Sequence, residues 1–526
     1  MAAQPLRPGS GRVGRTSPYG GVMPDHGIGS WPRRRARICP GAVAFRQGSR
    51  TLTYGELADR VDRLARVLAY RGVRPGDRIA YLGLNDIAVF EVFFAVCRLG
   101  AIFVPLNTRL APPEIGVLLD DAKPFALFHG PEQHELIEQI AAQDHGVGLI
   151  VSIDDWIPDD SPPADVGYDV PTITTDIGLD DDAVILYTSG TTGRPKGAVL
   201  SHGNLTFNTM NQLAHVDVLG TDTALCMSPL FHATGLGLVT LPTLFKGGSV
   251  VVLSKFDPAT ILATFADAGV TSFAAVPTML QMLYDHPDFE HTDLSSLHYV
   301  IYGGSAVAER VAVGWQRRGV DILHGYGMTE AAPGVCLAIP ARAVERPLSA
   351  GPPHFFTDIA IRSTSTAVPP GTEGELLVRG LNVSRGYWNQ SEDTPMKRDG
   401  DWFRSGDVVR MAEDGWIYIV DRIKDMIISG GENIYPSEVE ARINALPGVS
   451  ESAVIGVPDE RWGEVGLAYV VAAEPGAVME QQIRDALRGT LAAYKIPQYI
   501  LFVDQLAKNA TGKVVKQKLR ETAAPS

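Results

Sequence analysis

The sequence predicts an α/β protein followed by a small α+β unit, and three observations carry the prediction. A helix–strand–helix rhythm repeats from about Thr53 to Leu280, the pattern of parallel sheets covered by helices. From Ser349 to Val420 the segments become short and alternating, bounded by Gly and Pro, which predicts an antiparallel subdomain. Beyond Val420 a strand–strand–helix pattern returns, separate from the first.

The elements follow in order. Residues 1–37 hold seven arginines, one acidic residue (Asp25) and many Gly and Pro, and read as a disordered tail. Translation from Met23 and an anionic-membrane contact through Arg33–Arg37 are the alternatives. The tail has no apolar core of the length a secretory signal needs. Order is expected from about Gly41. Thr53 and Glu56 form a capping box, and the helix after it places Leu57, Val61, Leu64, Ala65 and Leu68 on one face before Gly72 stops it. Arg78–Leu82 and Ala183–Tyr187 read as buried strands, with helices opening near Asp86 and Ser201. Asp358–Arg362 and Glu373–Arg379 are strands of the antiparallel part. Strands near Ala453–Val457 and Ala468–Ala472 and a helix near Glu480–Ala492 make the last unit.

With 526 residues the chain has room for several folding units in at least two lobes. Its 45% hydrophobic and 20% charged content is globular and excludes a largely disordered chain. The net charge of −14 argues against a nucleic-acid protein, which needs a basic face. Any anionic ligand must be held by a local site. The four cysteines (Cys39, Cys97, Cys226, Cys336) form no CxxC pair, which excludes a zinc ribbon and fits a reducing cytoplasmic setting. No apolar run reaches the length of a membrane span, because Glu91, Arg98 and Lys246 interrupt the best ones.

The chemistry concentrates in Tyr187-Thr-Ser-Gly-Thr-Thr-Gly-Arg-Pro-Lys-Gly-Ala198. Thr188, Ser189, Gly190, Thr191, Thr192 and Gly193 put hydroxyl donors beside glycines whose backbone N–H groups can turn towards an anion. Lys196 adds a point charge. A Walker A loop is excluded, because Gly197 follows the lysine in place of Ser or Thr.

This stretch resembles the phosphate loop of the adenylate-forming superfamily, which includes acyl- and aryl-CoA synthetases, luciferases and peptide-synthetase adenylation domains. Further matches follow in the family's order: Pro229–Gly235, Gly303–Ala306, Gly325–Glu330, Arg404–Asp407, Asp421–Pro436 and Thr511–Lys513. The resemblance implies a large N-terminal domain (38–421) of two doubly wound sheets plus a small β-barrel. A mobile C-terminal domain (422–526) would follow, hinged at Lys424.

It also implies residue roles. Gly303, Gly304 and Ser305 would approach the adenine of ATP, and Tyr326 and Gly327 would sit beside it. Thr329 would bond a phosphoryl oxygen, and Glu330 would be the Mg²⁺ ligand. Asp407 would accept the ribose hydroxyls with Arg422 nearby. His232 would lie beside the acid's carboxylate. Gly235, Gly237, Gly304, Gly327 and Met328 would leave room for a bulky acyl group. Lys513 would approach the carboxylate and α-phosphate, although Ala507-Lys508-Asn509 replaces the usual Pro-Arg pair before Asn. Gly430 and Gly431 would line the CoA channel, with Trp462 and Tyr494 either as stacking faces for its adenine or as core residues. An amino acid substrate is disfavoured, because Phe231–Gly235 offers no carboxylate for an ammonium group.

The expected activity is ATP-dependent ligation of an apolar carboxylic acid (fatty, aryl or polycyclic) to CoA through acyl-AMP. Loading of a carrier protein, or operation of one half-reaction, is the alternative. A nucleotide binder without catalysis would be expected to lack Lys513 or Glu330, and both are present.

Overall fold

The computed structural model describes the chain except residues 1–24, 142, 144, 157–175, 189–194, 305–306, 347, 363–370, 390–397, 424, 430–431, 460–461, 489, 492, 510–511 and 524–526. Two large sheets dominate, and the chain visits them in the order first, second, first, second, the last visit being the short strand Gly386–Tyr387. The first has eight strands, ordered Gly334–Leu337, Asp321–Gly327, Tyr299–Tyr302, Ser272–Ala275, Thr223–Cys226, Ser249–Val252, Val43–Gln47 and Arg50–Thr53. Its interior pairs are parallel and both edges antiparallel. The second has seven, ordered Gly386–Tyr387, Lys196–Ser201, Asp182–Thr188, Ile102–Leu106, Arg78–Leu82, Ala126–His129 and Leu149–Ser152. The doubly wound expectation holds for both.

The capping box at Thr53 is present: its side chain accepts from Glu56 N, and Glu56 bonds back to Thr53 N at 2.7 Å. The helix it starts, Tyr54–Tyr70, buries the five predicted face residues. Helix Ile87–Arg98 is apolar almost all round and is buried along its whole length, as such a pattern requires. Its two charges are paired: Glu91 with Arg60 at 2.5 Å, and Arg98 with Asp25 at 2.8 Å. Burial pushes the Glu91 carboxyl up against the pull of Arg60. No helix among the described residues is long and apolar enough to cross a membrane.

A five-stranded antiparallel sheet stands where the small barrel was expected, with Glu373–Gly380 and Trp402–Met411 at its centre. Its last strand, Ile417–Arg422, leads into the C-terminal unit. There Ile427–Ser429, Glu432–Ile434, Val449–Asp459, Gly463–Ala472 and Tyr499–Phe502 form a second five-stranded sheet packed on helices Pro436–Asn444 and Glu480–Arg488. All four cysteines are free thiols.

The disordered-tail expectation is corrected for residues 26–37. Ile28–Ser30 form a buried 3-10 turn and Trp31–Ile38 an α-helix with Pro32 in its first turn. Trp31 packs edge-on against Phe245 with ring centroids 5.0 Å apart. Three of the helix's arginines have partners within the chain. Arg33 pairs with Asp62, Arg34 bonds Ser30 Oγ and Asp25 O, and Arg35 bonds Phe245 O. The Arg33–Arg37 run therefore belongs to a docked helix, on which Arg33, Arg34 and Arg37 stay exposed. Composition concealed this, because two apolar anchors among many Gly, Pro and Arg suffice to dock a short segment. Met23 lies outside the described residues.

Candidate active site

The expected phosphate loop joins two antiparallel strands, Asp182–Thr188 and Lys196–Ser201, in which Thr188 stands opposite Lys196. Thr188 Oγ1 donates to Lys196 O at 3.3 Å. Lys196 thus opens a strand, where its side chain has a fixed origin. Ser189, Gly190, Thr191, Thr192 and Gly193 lie outside the described residues, as do Ser305, Lys424, Gly430 and Gly431.

Glu330 reaches the same place from the other sheet. Strand Asp321–Gly327 runs into the 3-10 turn Thr329–Ala331 and returns as Gly334–Leu337. Tyr387 bridges the two: its hydroxyl donates to Glu330 Oε1 at 2.6 Å, and Lys196 Nζ lies 5.5 Å from its ring centroid. Burial first, and Glu330 second, push the Tyr387 phenol up. The turn is held firmly. Ser384 N donates to Glu330 O, and Asn382 Nδ2 donates to Ala331 O and Gly334 O. Met328 N donates to Pro333 O at 2.9 Å, and the Met328 side chain packs on the core of the antiparallel sheet.

A second cluster joins Tyr326, Asp407 and Arg422. Asp407 and Arg422 are register partners on neighbouring strands. The buried Asp407 carboxylate accepts from Tyr326 Oη at 2.6 Å and pairs with Arg422 Nε at 3.0 Å. Burial, then the Asp407 charge, raise the Tyr326 phenol far above its ordinary range. Gly303 lies beside this cluster; a Cβ there would stand 2.6 Å from Gly325 O, so the close approach of the two strands requires a glycine. Gly304 has φ +92° and open space where a Cβ would be.

His232 caps the short helix Ala233–Gly237. Its ring meets Phe231 edge-on at 4.6 Å, and its Nε2 is buried without a partner among the described residues. Burial, aided by Arg109, lowers its pKa to about 4, so the imidazole is neutral at pH 7. The room expected around the following glycines is not on their Cβ sides. A Cβ at Gly235 would stand 2.6 Å from Pro229 O, at Gly237 2.5 Å from Pro333 Cδ, and at Gly327 1.8 Å from Pro333 O. These glycines serve close backbone packing, and Gly304 alone of the predicted set has an open Cβ side.

Lys513 is exposed in a loop closed by Asn509, which bonds Lys513 through both its backbone N and its side chain. The loop lies against the large domain: a Cβ on Gly512 would be 3.7 Å from Thr278 Oγ1, at the start of helix Pro277–Tyr284. That helix leaves a central strand of the eight-stranded sheet on the side of Gly303. Trp462 and Tyr494 are both exposed on the C-terminal unit. Sequence reasoning missed Tyr387, Ser384, Asn382 and Arg109. Tyr387 and Trp388 lie between the recognised motifs and carry no charge, so only the fold brings them in.

The donor set suits Mg²⁺. One carboxylate, Glu330, stands beside the Thr329 hydroxyl, with no cluster of three His, Cys, Asp or Glu among the described residues. Mg²⁺ takes one or two carboxylates together with substrate phosphates and water.

Comparison with known proteins agrees with this geometry. Residues 32–388 match the family model of AMP-binding enzymes, and residues 438–513 match that of the AMP-binding enzyme C-terminal domain. A feruloyl-CoA synthase of Amycolatopsis is 48% identical over 501 residues, covering 95% of this chain and 99% of that protein. An indoleacetate–CoA ligase of Aromatoleum aromaticum is 38% identical over 94% of this chain and 98% of that protein. Among solved structures, the o-succinylbenzoate CoA synthetase of Bacillus subtilis with its acyl-adenylate is similar at TM-score 0.83 and 30% identity, covering 94% and 98% of the two chains. The chain belongs to the AMP-binding enzymes, in the acyl-CoA synthetase family of the adenylate-forming superfamily.

Proposed function

We propose that this ligase activates an aryl acid of the hydroxycinnamate kind as acyl-AMP and transfers the acyl group to CoA. The observation that carries the substrate class is the likeness to feruloyl-CoA synthase along nearly the whole of both chains. The geometry supports the chemistry. The Tyr326–Asp407–Arg422 cluster offers a buried carboxylate to the ribose hydroxyls. Lys196 would meet the phosphates from one sheet, and Thr329 and Glu330 from the other. Mg²⁺ held through Glu330 would neutralise phosphate charge. The orphaned His232 Nε2 would gain a partner in the acid's carboxylate; a buried polar atom left unpaired costs about 1–3 kcal/mol.

The acid's carboxylate oxygen attacks the α-phosphorus and pyrophosphate leaves. Lys513, whose loop already lies against the large domain, brings positive charge to the carboxylate and α-phosphate. The CoA thiolate then attacks the acyl carbon, and AMP leaves with the former carboxylate oxygen. Catalysis of the first step is positioning and charge stabilisation by fixed groups. Gly430, Gly431, Trp462 and Tyr494 serve the CoA side, with Lys424 as hinge. Four free thiols suit work in the cytoplasm.

The test is thioester formation, read by mass spectrometry, across ferulate, other cinnamates, indoleacetate, benzoates and fatty acids with ATP, Mg²⁺ and CoA. The reading expects a cinnamate to give the highest kcat/KM. Preference for a long-chain fatty acid would overturn the substrate class, and loading of a carrier thiol without CoA would overturn the acceptor.

A further inference from the structure

We propose that Tyr387 is a positioning residue for adenylation, keeping the two charges that flank the triphosphate apart and aimed; the role rests on the acid-activating reading above. Lys196 and Glu330 come from different sheets, and neither sheet fixes their separation. Tyr387 touches both, through its hydroxyl to Glu330 and its ring face to Lys196. Among the described residues Lys196 and Glu330 form no direct ion pair. A direct ammonium–carboxylate pair would have to be broken before phosphate and metal could enter. Tyr387 gives each charge a neutral partner that can be exchanged: a phenol O–H for the carboxylate and a ring face for the ammonium.

The backbone around Tyr387 is built to hold this place. Gly386 and Tyr387 pair antiparallel with Val199 and Ala198 on the lysine's own strand. Ser384 Oγ donates to Val199 O at 2.7 Å while Ser384 N donates to Glu330 O at 2.7 Å. Asn382, fully buried, clamps the carbonyls of Ala331 and Gly334 at 2.9 and 2.7 Å. Residues 382–388 are thus a strap fastened to both catalytic halves, with Tyr387 where they meet.

The experiment compares wild type, Tyr387→Phe and Tyr387→Leu. ATP affinity is measured by calorimetry with and without Mg²⁺, acid-dependent pyrophosphate exchange is measured against Mg²⁺ concentration, and thioester formation is measured from supplied acyl-AMP. Tyr387→Phe is expected to raise the Mg²⁺ concentration for half-maximal exchange at least fivefold. It should also shrink the Mg²⁺-dependent gain in ATP affinity, with the KM for the acid within twofold. Tyr387→Leu, which also removes the ring, should lose more. Thioester formation from acyl-AMP should fall far less than exchange. Unchanged Mg²⁺ dependence in Tyr387→Phe, or an equal loss of both half-reactions, would overturn the role. If the wild type shows no acid-dependent exchange, the acid-activating reading fails, and the calorimetric arm still decides whether Tyr387 governs Mg²⁺-assisted ATP binding.

Discussion

Replacing Asp407 with Asn should weaken ATP binding while leaving the fold in place. The Asp407 carboxylate is 5% exposed, receives Tyr326 Oη at 2.6 Å and pairs with Arg422 Nε at 3.0 Å. Asn keeps one acceptor oxygen, enough for Tyr326, but turns the other into a donor that cannot accept a ribose hydroxyl. Arg422 is nearly half exposed, so solvent screens its loss of a counter-charge to about 1 kcal/mol or less. One charge-assisted hydrogen bond to the ribose contributes about 1.5–3 kcal/mol. The Kd for ATP should therefore rise roughly 10- to 150-fold by calorimetry. Wild type should discriminate against 2′- or 3′-deoxy-ATP, and the variant should lose most of that discrimination. An ATP affinity within twofold of wild type, with discrimination intact, would refute the ribose assignment.

Other outcomes follow from the same structure. Trp31→Ala should lower stability in urea by about 3–5 kcal/mol, the cost of truncating a buried Trp, and a loss below about 1 kcal/mol would contradict the docked N-terminal helix. Gly304→Ala meets only backbone strain at φ +92°, costing about 1–3 kcal/mol. Gly327→Ala must displace the Pro333 carbonyl and the Glu330 turn with it, so it should cost more stability and most adenylation; the reverse order would count against the packing described. His202, His232 and His324 are each held at about 4 by burial. Unfolded, each takes up a proton near pH 6.5, so the unfolded state binds more protons between pH 6.5 and 4, and stability falls as pH drops through that window. Each contributes about 1.4 kcal/mol per pH unit at most. Urea midpoints across pH 7 to 4.5 check this, and His324→Gln should flatten the slope.

Much of the fold was legible because local signals agreed with tertiary ones. The Thr53 capping box, the strand at Arg78–Leu82 and the helix start at Ser201 all stand where side-chain chemistry placed them. In the candidate site, Lys196, Glu330 and Asp407 could be singled out as charged residues inside motifs, and the fold sets the first two about Tyr387 and the third between Tyr326 and Arg422. What escaped was neutral or long-range. Tyr387 matters only because a strand from elsewhere in the chain sets it between two charges. The glycines at 235, 237 and 327 read as space for substrate, yet the space is taken by the carbonyls and prolines of Ser228–Pro229 and Ala332–Pro333, which no spacing rule reveals. Residues 26–37 failed for the opposite reason: their average composition outweighed Ile28 and Trp31, although two side chains in the core fix the segment.

The most direct test of acyl-AMP formation on this chain is an isotope measurement. The acid is supplied with both carboxylate oxygens as ¹⁸O, turned over with ATP, Mg²⁺ and CoA, and the products are weighed by mass spectrometry. One labelled oxygen in AMP, one in the thioester and none in pyrophosphate is the predicted result. AMP without label, or label in pyrophosphate, would contradict attack of the carboxylate on the α-phosphorus.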